Sequence, residues 1–168
     1  MTRAQKALIV TGGYIGAVLV AWAVVELYVS STSTPDRQSA AGMYAFGDSM
    51  VFLGAFTLSA SPATALGLYY LRSVPRFWLA ASVAAVAIAV TAVVAMLSYL
   101  VPAPGTTTGT WLALAPLRIL LAPMLGLGFI LALALAPTRS SRRLLMAATA
   151  MELGSFIVVA LVWWRSPR

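Results

Sequence analysis

Residues 77–101 read FWLAASVAAVAIAVTAVVAMLSYLV, a stretch without a charged side chain that is interrupted only by Ser82, Thr91 and Ser98. A helix needs about 20 predominantly apolar residues to cross a hydrocarbon core that is roughly 30 Å thick. At about 1.5 Å per residue, this stretch is long enough to cross such a core with some tilt. It therefore predicts a transmembrane helix, and the rest of the chain repeats the pattern.

Four further stretches pass the same test of length and apolarity. The predicted spans lie at about 7–29, 49–71, 77–101, 111–136 and 144–164. The connections between them are short, including an uncharged loop, PAPGTTTGT, over residues 102–110. We therefore predict an all-α polytopic membrane protein in which residues 1–168 form a single bundle of five transmembrane helices.

The composition of the 168 residues leads to the same class, because 61% are hydrophobic and only 9% are charged. A soluble domain typically has about 25% charged and about 45–50% apolar residues. The chain has no His and no Cys. Their absence from the sequence excludes disulfides, Cys/His zinc sites, His-ligated haem, and Ser-His or Cys-His nucleophile pairs. We expect no metal site and no cofactor.

The basic residues fall unequally on the two sides of the predicted membrane. On the side of the N-terminus lie Arg3, Lys6, Arg72, Arg76, Arg139, Arg142 and Arg143, and on the other side lie Arg37, Arg165 and Arg168. Because cytoplasmic loops carry an excess of Lys and Arg, we predict a cytoplasmic N-terminus, an outer C-terminus and location in the bacterial inner membrane.

This placement also explains the net charge of +7 without nucleic acid as a partner. Membrane lipids are the expected partners, with Arg139, Arg142 and Arg143 on anionic headgroups. Tyr69, Tyr70 and Trp78 are predicted to ring the cytoplasmic interface, since aromatic side chains favour that depth.

Small residues recur at four-residue spacing in several predicted spans. The pairs are Gly12 and Gly16, Ala122 and Gly126, and Ala150 and Gly154. Helices in lipid associate through close packing of such residues. Because five helices must pack, we expect these pairs to pack within one chain. Homo-oligomerisation or docking of a second membrane protein is the alternative.

Two ionisable residues lie deep within predicted spans, Arg118 in the fourth and Glu152 in the fifth. By helix rise, Arg118 is about 10 Å below the outer surface and Glu152 about 12 Å above the inner one. The remaining vertical gap of about 8 Å is within reach of the two side chains together. A charge alone at such depth costs about 2.5–3.5 kcal/mol, so we predict that the two residues pair.

A wider polar cavity, open to the outer side, is the hypothesis for function. Glu26 and Asp48 lie near the outer ends of their spans, Thr149 and Ser155 flank Glu152, and Tyr14 and Trp22 share a helix face with Glu26. The candidate ligand-binding residues are Arg118, Glu152, Glu26, Asp48, Thr149, Ser155, Trp22 and Tyr14. In the alternative, Arg118 extends to the outer surface, Glu152 pairs with it or stays protonated, and Glu26 and Asp48 are merely interfacial.

Three classes of function are compatible with this pattern. The first is a non-enzymatic protein that binds or passes a small polar or charged ligand through the cavity. The second is an accessory or assembly subunit that packs against another membrane protein. The third is an intramembrane enzyme, which would lack a credible nucleophile or base apart from Glu152. We therefore favour a non-enzymatic protein.

Overall fold

The computed structural model describes residues 1–32, 34–101 and 110–165, with the side chains of all of these except residues 34–36 and 110–113. The predicted loop over 102–110 lies outside this range apart from Thr110. The described residues form helices joined by short turns, with no β-strand among them. The helices are α1 (Arg3–Ser30), α2 (Thr34–Ser39), α3 (Ala41–Tyr70), α4 (Pro75–Leu100), α5 (Thr110–Leu120), α6 (Ala122–Leu135) and α7 (Arg139–Arg165).

Four of these helices, α1, α3, α4 and α7, are long and apolar enough to cross a membrane. The helices α5 and α6 pass the same test together, although they are bent by 44° at a break between them. Among the described residues there are thus four such helices, or five if the bent pair forms one span. The prediction of an all-helical fold with apolar helices of membrane-spanning length is confirmed.

The chain divides into two compact units, Met1–Tyr70 and Leu71–Arg168. The first unit is an antiparallel pair of α1 and α3. The ammonium of Lys6 lies 5.1 Å from the ring centre of Tyr70. Further along, the hydroxyl groups of Tyr14 and Thr64 are 2.9 Å apart. Because residue numbers rise along α1 as they fall along α3, the two helices run in opposite directions. The single bundle of five helices stays a prediction.

The small residues of α1 that face α3 recur at every fourth position. They are Gly13, Ala17 and Ala21. A Cβ at Gly13 would lie only 2.8 Å from the Cβ of Ala63 in α3. A Cβ at Gly12 or Gly16 would meet no atom within 4 Å in the described part of the chain. The GxxxG pair therefore does not pack against α3, since α1 turns the neighbouring face towards that helix, and its packing elsewhere in the chain stays a prediction.

In the second unit, α4 and α7 bury two matching rows of residues. The buried residues of α4 are Trp78, Ser82, Ala85, Ala89, Ala92 and Ala95. Those of α7 are Ser141, Leu145, Ala148, Glu152, Ser155 and Val159. Spacings of mostly alternating four and three residues are typical of left-handed helix packing. Mostly small side chains in these rows allow the two backbones to approach closely.

The two helices run in the same direction. Ala95 and Val159 belong to one apolar cluster, and one guanidinium bonds both the Ile88 carbonyl and the carboxylate of Glu152. The separation in sequence from Ala95 to Val159 equals that from Ile88 to Glu152. The helices α4 and α7 are therefore parallel, without a shift in register.

The bent pair α5 and α6 runs antiparallel to α7. Its contacts with α7 are Ile119 with Val159, Gly126 with Leu153, and the Ala136 carbonyl with Arg142 Nε at 2.8 Å. The predicted packing of Ala122 and Gly126 within the chain is confirmed, because both are buried. Ala150 and Gly154 do not pack within the second unit, since Ala150 is exposed and a Cβ at Gly154 would meet none of the described atoms within 4 Å.

The break between α5 and α6 follows from the proline at position 123. Pro123 has no N–H, so the carbonyl of Ile119 loses its helical partner, and the proline ring clashes with the preceding turn. Pro62 and Pro116, in contrast, lie inside helices that continue through them. The fourth predicted span is therefore two helices, and Arg118 lies in the last turn of the first of them.

Trp78 is packed against protein. Its side chain is fully buried, and its indole N–H donates to the carbonyl of Leu71 at 3.0 Å. It lies in the first turn of α4, at the first position of the row that this helix buries, and its place in an interfacial aromatic ring stays a prediction.

Candidate functional site

Arg118 and Glu152 form a bidentate ion pair. Nη1 of Arg118 donates to Oε1 of Glu152 at 2.6 Å, and Nη2 donates to Oε2 at 2.8 Å. Two parallel N–H to O bonds match the planar guanidinium to the planar carboxylate, the strongest geometry available to such a pair. The pairing predicted from depth along the helices is confirmed.

A second edge of the Arg118 guanidinium faces α4. Nε donates to the hydroxyl of Thr91 at 2.8 Å, and Nη2 also donates to the carbonyl of Ile88 at 2.9 Å. The Thr91 hydroxyl in turn donates to the same Ile88 carbonyl at 2.6 Å. Arg118 therefore joins three helices, since it starts on α5 and bonds groups on α4 and α7.

The pair is withdrawn from solvent. The side chain of Glu152 is 0% exposed and that of Arg118 is 14% exposed. The alternative in which Arg118 extends to the outer surface is therefore wrong, because both edges of its guanidinium are bonded inside the second unit. Arginine is suited to this position because it stays charged and presents five N–H donors in a rigid plane.

Thr149 and Ser155 do not bond the ion pair. The Thr149 hydroxyl donates to the carbonyl of Leu145 at 2.8 Å, and the Ser155 hydroxyl donates to that of Met151 at 2.7 Å. Such bonds to the preceding turn of the same helix are a common way for Ser and Thr to satisfy a hydroxyl within apolar surroundings. Their three-residue spacing from Glu152 places them near it without making them its partners.

In the first unit, the candidates Trp22 and Glu26 bond each other, whereas Tyr14 bonds a different residue. The indole N–H of Trp22 donates to Oε1 of Glu26 at 3.2 Å, one turn along the same helix. The hydroxyl of Tyr14 lies 2.9 Å from that of Thr64 on α3, well away from Glu26. Trp22 and Glu26 are brought together as predicted, whereas Tyr14 belongs to a separate contact.

Asp48 pairs with Arg37, a residue of α2. Nη2 of Arg37 bonds Oδ2 of Asp48, and the Arg37 guanidinium lies 5.1 Å from the ring centre of Tyr44. The other carboxylate oxygen of Asp48, Oδ1, is buried and has no hydrogen-bond partner among the described residues; the same holds for Nη1 of Arg37. An unpartnered buried carboxylate oxygen is costly.

A groove of about 520 Å³ opens on this part of the α1–α3 pair. Trp22, Val25, Asp48, Ser49, Phe52 and Leu53 line it, and we call it the hairpin groove. Apolar walls with a few polar groups, in a volume within roughly 300–1,000 Å³, are typical of small-molecule sites.

A second groove, of about 390 Å³, lies in the second unit beside the end of α5. Tyr99, Pro116, Ile119, Phe156 and Trp163 are among its lining residues, and none of the lining residues is charged. The only polar side-chain groups in its described lining are the Tyr99 hydroxyl and the Trp163 indole N–H, so it has few groups that could bind a polar ligand.

Seven of the eight predicted site residues thus fall into two groups, and the eighth, Tyr14, contacts Thr64 instead. Arg118 and Glu152 pair within the second unit, with Thr149 and Ser155 nearby, whereas Trp22, Glu26 and Asp48 lie by the hairpin groove of the first unit. A continuous column of charge through both units stays a prediction.

Sequence reasoning missed Thr91, Arg37 and the carbonyl of Ile88. A signal for Thr91 was present, because it lies fourteen residues after Phe77, about 21 Å above the inner surface and thus at the depth expected for Arg118. The pairing of Arg37 with Asp48 depends on the position of α2, a helix that no apolar pattern in the sequence predicts.

A scan against protein-family models, a search of curated proteins and a search of solved structures each found no match.

Proposed function

We propose that this is a non-enzymatic membrane protein that binds a small organic cation in the hairpin groove. The observation that carries the proposal is that the carboxylate residue Asp48 lines a groove whose other walls are Trp22, Ser49 and apolar side chains. The ion pair of Arg118 and Glu152, by comparison, is already satisfied within its own unit.

The charge of the groove favours a cation over an anion. Asp48 lines it, and Glu26 accepts a bond from the lining residue Trp22. Arg37 compensates one of these two carboxylates through its bond to Asp48. One formal negative charge remains, next to an indole ring whose face attracts cations. Val25, Phe52 and Leu53 would contact the apolar body of such a ligand.

Binding of radiolabelled tetraphenylphosphonium to the purified chain in phosphatidylcholine nanodiscs would test this proposal. We expect saturable binding that Glu26→Gln or Asp48→Asn weakens by about tenfold or more, equivalent to about 1.4 kcal/mol. Trp22→Leu should weaken binding, whereas Trp164→Leu, at a tryptophan that is 80% exposed in the other unit, should not.

Tetraphenylborate is the matched ligand control, because it has the same shape and the opposite charge. It should bind without saturation and respond to neither carboxylate substitution. Tetraphenylphosphonium uptake that rises linearly with lipid, unchanged by all three groove substitutions, would overturn the proposal.

We further propose that the chain has five spans, with a cytoplasmic N-terminus in the bacterial inner membrane. The supporting observation is that the α5–α6 pair runs along α7 without turning back. Ile119 of α5 packs with Val159 near one end of α7, and Ala136 after α6 bonds Arg142 near the other end. These positions on α7 are about 25 Å apart by helix rise, close to a hydrocarbon thickness. A re-entrant loop would instead return to its starting level.

Reporter fusions at the C-terminus of the full chain would test this topology. Five spans with a cytoplasmic N-terminus predict an active alkaline phosphatase and a non-fluorescent green fluorescent protein at that end. Four spans predict the reverse. A green fluorescent protein at the N-terminus should fluoresce, and a dark fusion there would contradict the orientation.

A second candidate function, an accessory subunit that packs against another membrane protein, is favoured by one feature of α1. Gly12 and Gly16 form a GxxxG pair with open space above both, and such pairs mediate close helix contacts in lipid. Gly12→Ile with Gly16→Ile should then reduce the mass of the native complex in mild detergent. The matched change Gly128→Ile, at another open position, should leave it unchanged.

A further inference from the structure

We propose that one end of the second unit is a binding site for anionic phospholipid headgroups. Five exposed arginines lie at this end: Arg72, Arg76, Arg139, Arg142 and Arg143. We call this group the arginine end.

The parallel register of α4 and α7 brings the five arginines to one level. Arg76 lies in the first turn of α4, and Arg139 is the first residue of α7. Because the two helices pack without a shift, these turns lie side by side. Arg72 lies in the turn that precedes α4, and Arg142 and Arg143 lie one turn into α7.

No carboxylate of the second unit neutralises these charges. The sequence places only one acidic residue after Tyr70, Glu152, and it is buried against Arg118. The first turns of α4 and α7 contain no acidic residue. Cations at the N-terminal ends of helices are also disfavoured by the helix dipoles. The arginine end therefore keeps its positive charge available for an external anion.

Arg142 is held in place for this role. Its Nε donates to the carbonyl of Ala136 at the end of α6, which leaves its Nη atoms for an outer partner. Guanidinium groups bind phosphate oxygens in a bidentate manner. A lipid phosphate is favoured over nucleic acid because the arginine end lies where apolar helices of spanning length begin. At such a boundary, each basic residue near an anionic surface contributes about 1 kcal/mol.

The test measures lipid preference of the purified full chain, reconstituted in phosphatidylcholine, by electron paramagnetic resonance of spin-labelled lipids. We expect the chain to favour phosphatidylglycerol over phosphatidylcholine by about fivefold or more, the factor equivalent to about 1 kcal/mol. The variant R72Q/R76Q/R139Q/R143Q, which keeps Arg142 on Ala136, should lower this preference several-fold. The control R165Q, at an exposed arginine in the last turn of α7, should keep the preference.

Two further arms keep the proposal falsifiable. The variant R72K/R76K/R139K/R143K retains the charges and should retain most of the preference even if the glutamine variant fails to fold. Inorganic phosphate or a DNA oligonucleotide, at constant ionic strength, should not displace the lipid. Equal preference in the wild type and the glutamine variant, loss of preference in the lysine variant, or displacement by either competitor would overturn the proposal.

Discussion

The carboxylate of Glu152 lies flat against the Nη1 and Nη2 edge of Arg118, with N to O distances of 2.6 and 2.8 Å. Arg118 lies in the last turn of α5, two residues before that helix ends. The pair therefore joins the end of a half-length helix to α7, and through Thr91 and Ile88 it joins both to α4. This arrangement assigns the buried charges to assembly of the second unit.

Removing either member of the pair should destabilise the protein more than removing both. Arg118→Leu leaves a buried carboxylate, and Glu152→Gln leaves an uncompensated guanidinium, each at a cost of about 2.5–3.5 kcal/mol. The double variant should recover much of the loss, because an apolar replacement of a whole buried pair is often near neutral. Thermal unfolding of the four proteins in one detergent measures the coupling. Additive losses would contradict a direct interaction.

Thr91 should matter for stability, whereas Thr149 should not. Thr91→Val removes the acceptor of Arg118 Nε and should cost about 1 kcal/mol, within the range of hydrogen bonds measured between membrane helices. Thr149→Val removes only a bond to its own helix and should stay within about 0.5 kcal/mol. Unfolding midpoints of the two variants provide the measurement. Equal losses at both positions would show that Thr91 has no special role in holding Arg118.

Alanine substitutions at three neighbouring glycines of α1 should change the free energy of unfolding in different directions. Gly13→Ala places a Cβ 2.8 Å from the Cβ of Ala63, which cannot move without its backbone. It should therefore cost about 1–3 kcal/mol through overpacking. Gly12→Ala and Gly16→Ala meet open space and should be neutral, or stabilising by up to about 1 kcal/mol through helix propensity. If Gly12→Ala were the most harmful change in a thermal-unfolding series, the α1–α3 interface would be assigned to the wrong face.

Trp78 should behave as an interior residue. Trp78→Phe removes the indole N–H that bonds the Leu71 carbonyl, and the loss should be about 1–3 kcal/mol. The matched change Trp164→Phe, at a residue that is 80% exposed, should alter stability by less than about 0.5 kcal/mol. The fraction of intrinsic fluorescence that acrylamide quenches should fall in Trp164→Phe, which loses an accessible indole, and rise in Trp78→Phe, which loses a buried one. Similar effects of the two variants on both measurements would contradict the burial of Trp78.

Much of the second unit could be predicted from the sequence because membrane depth follows directly from residue number. The position of Arg118 along the fourth span and of Glu152 along the fifth placed them within reach of each other. Rotation about the helix axis, in contrast, decided which small residues make contacts. The GxxxG pair of α1 was the stronger sequence motif, yet Gly13 faces α3. Nothing in a uniformly apolar helix reveals which of its faces meets a neighbour and which meets lipid.

The sequence by itself determined the class of protein, the approximate extent of its apolar helices and the positions of its buried charges along them. These depend on local quantities, the hydropathy of a segment and a rise of about 1.5 Å per residue. Only the tertiary structure decided that Thr91 rather than Thr149 holds Arg118, that Arg37 reaches Asp48, and that Trp78 is buried. Each of these depends on the rotation and separation of helices that are distant in the chain, which are set by the packing of whole faces against one another.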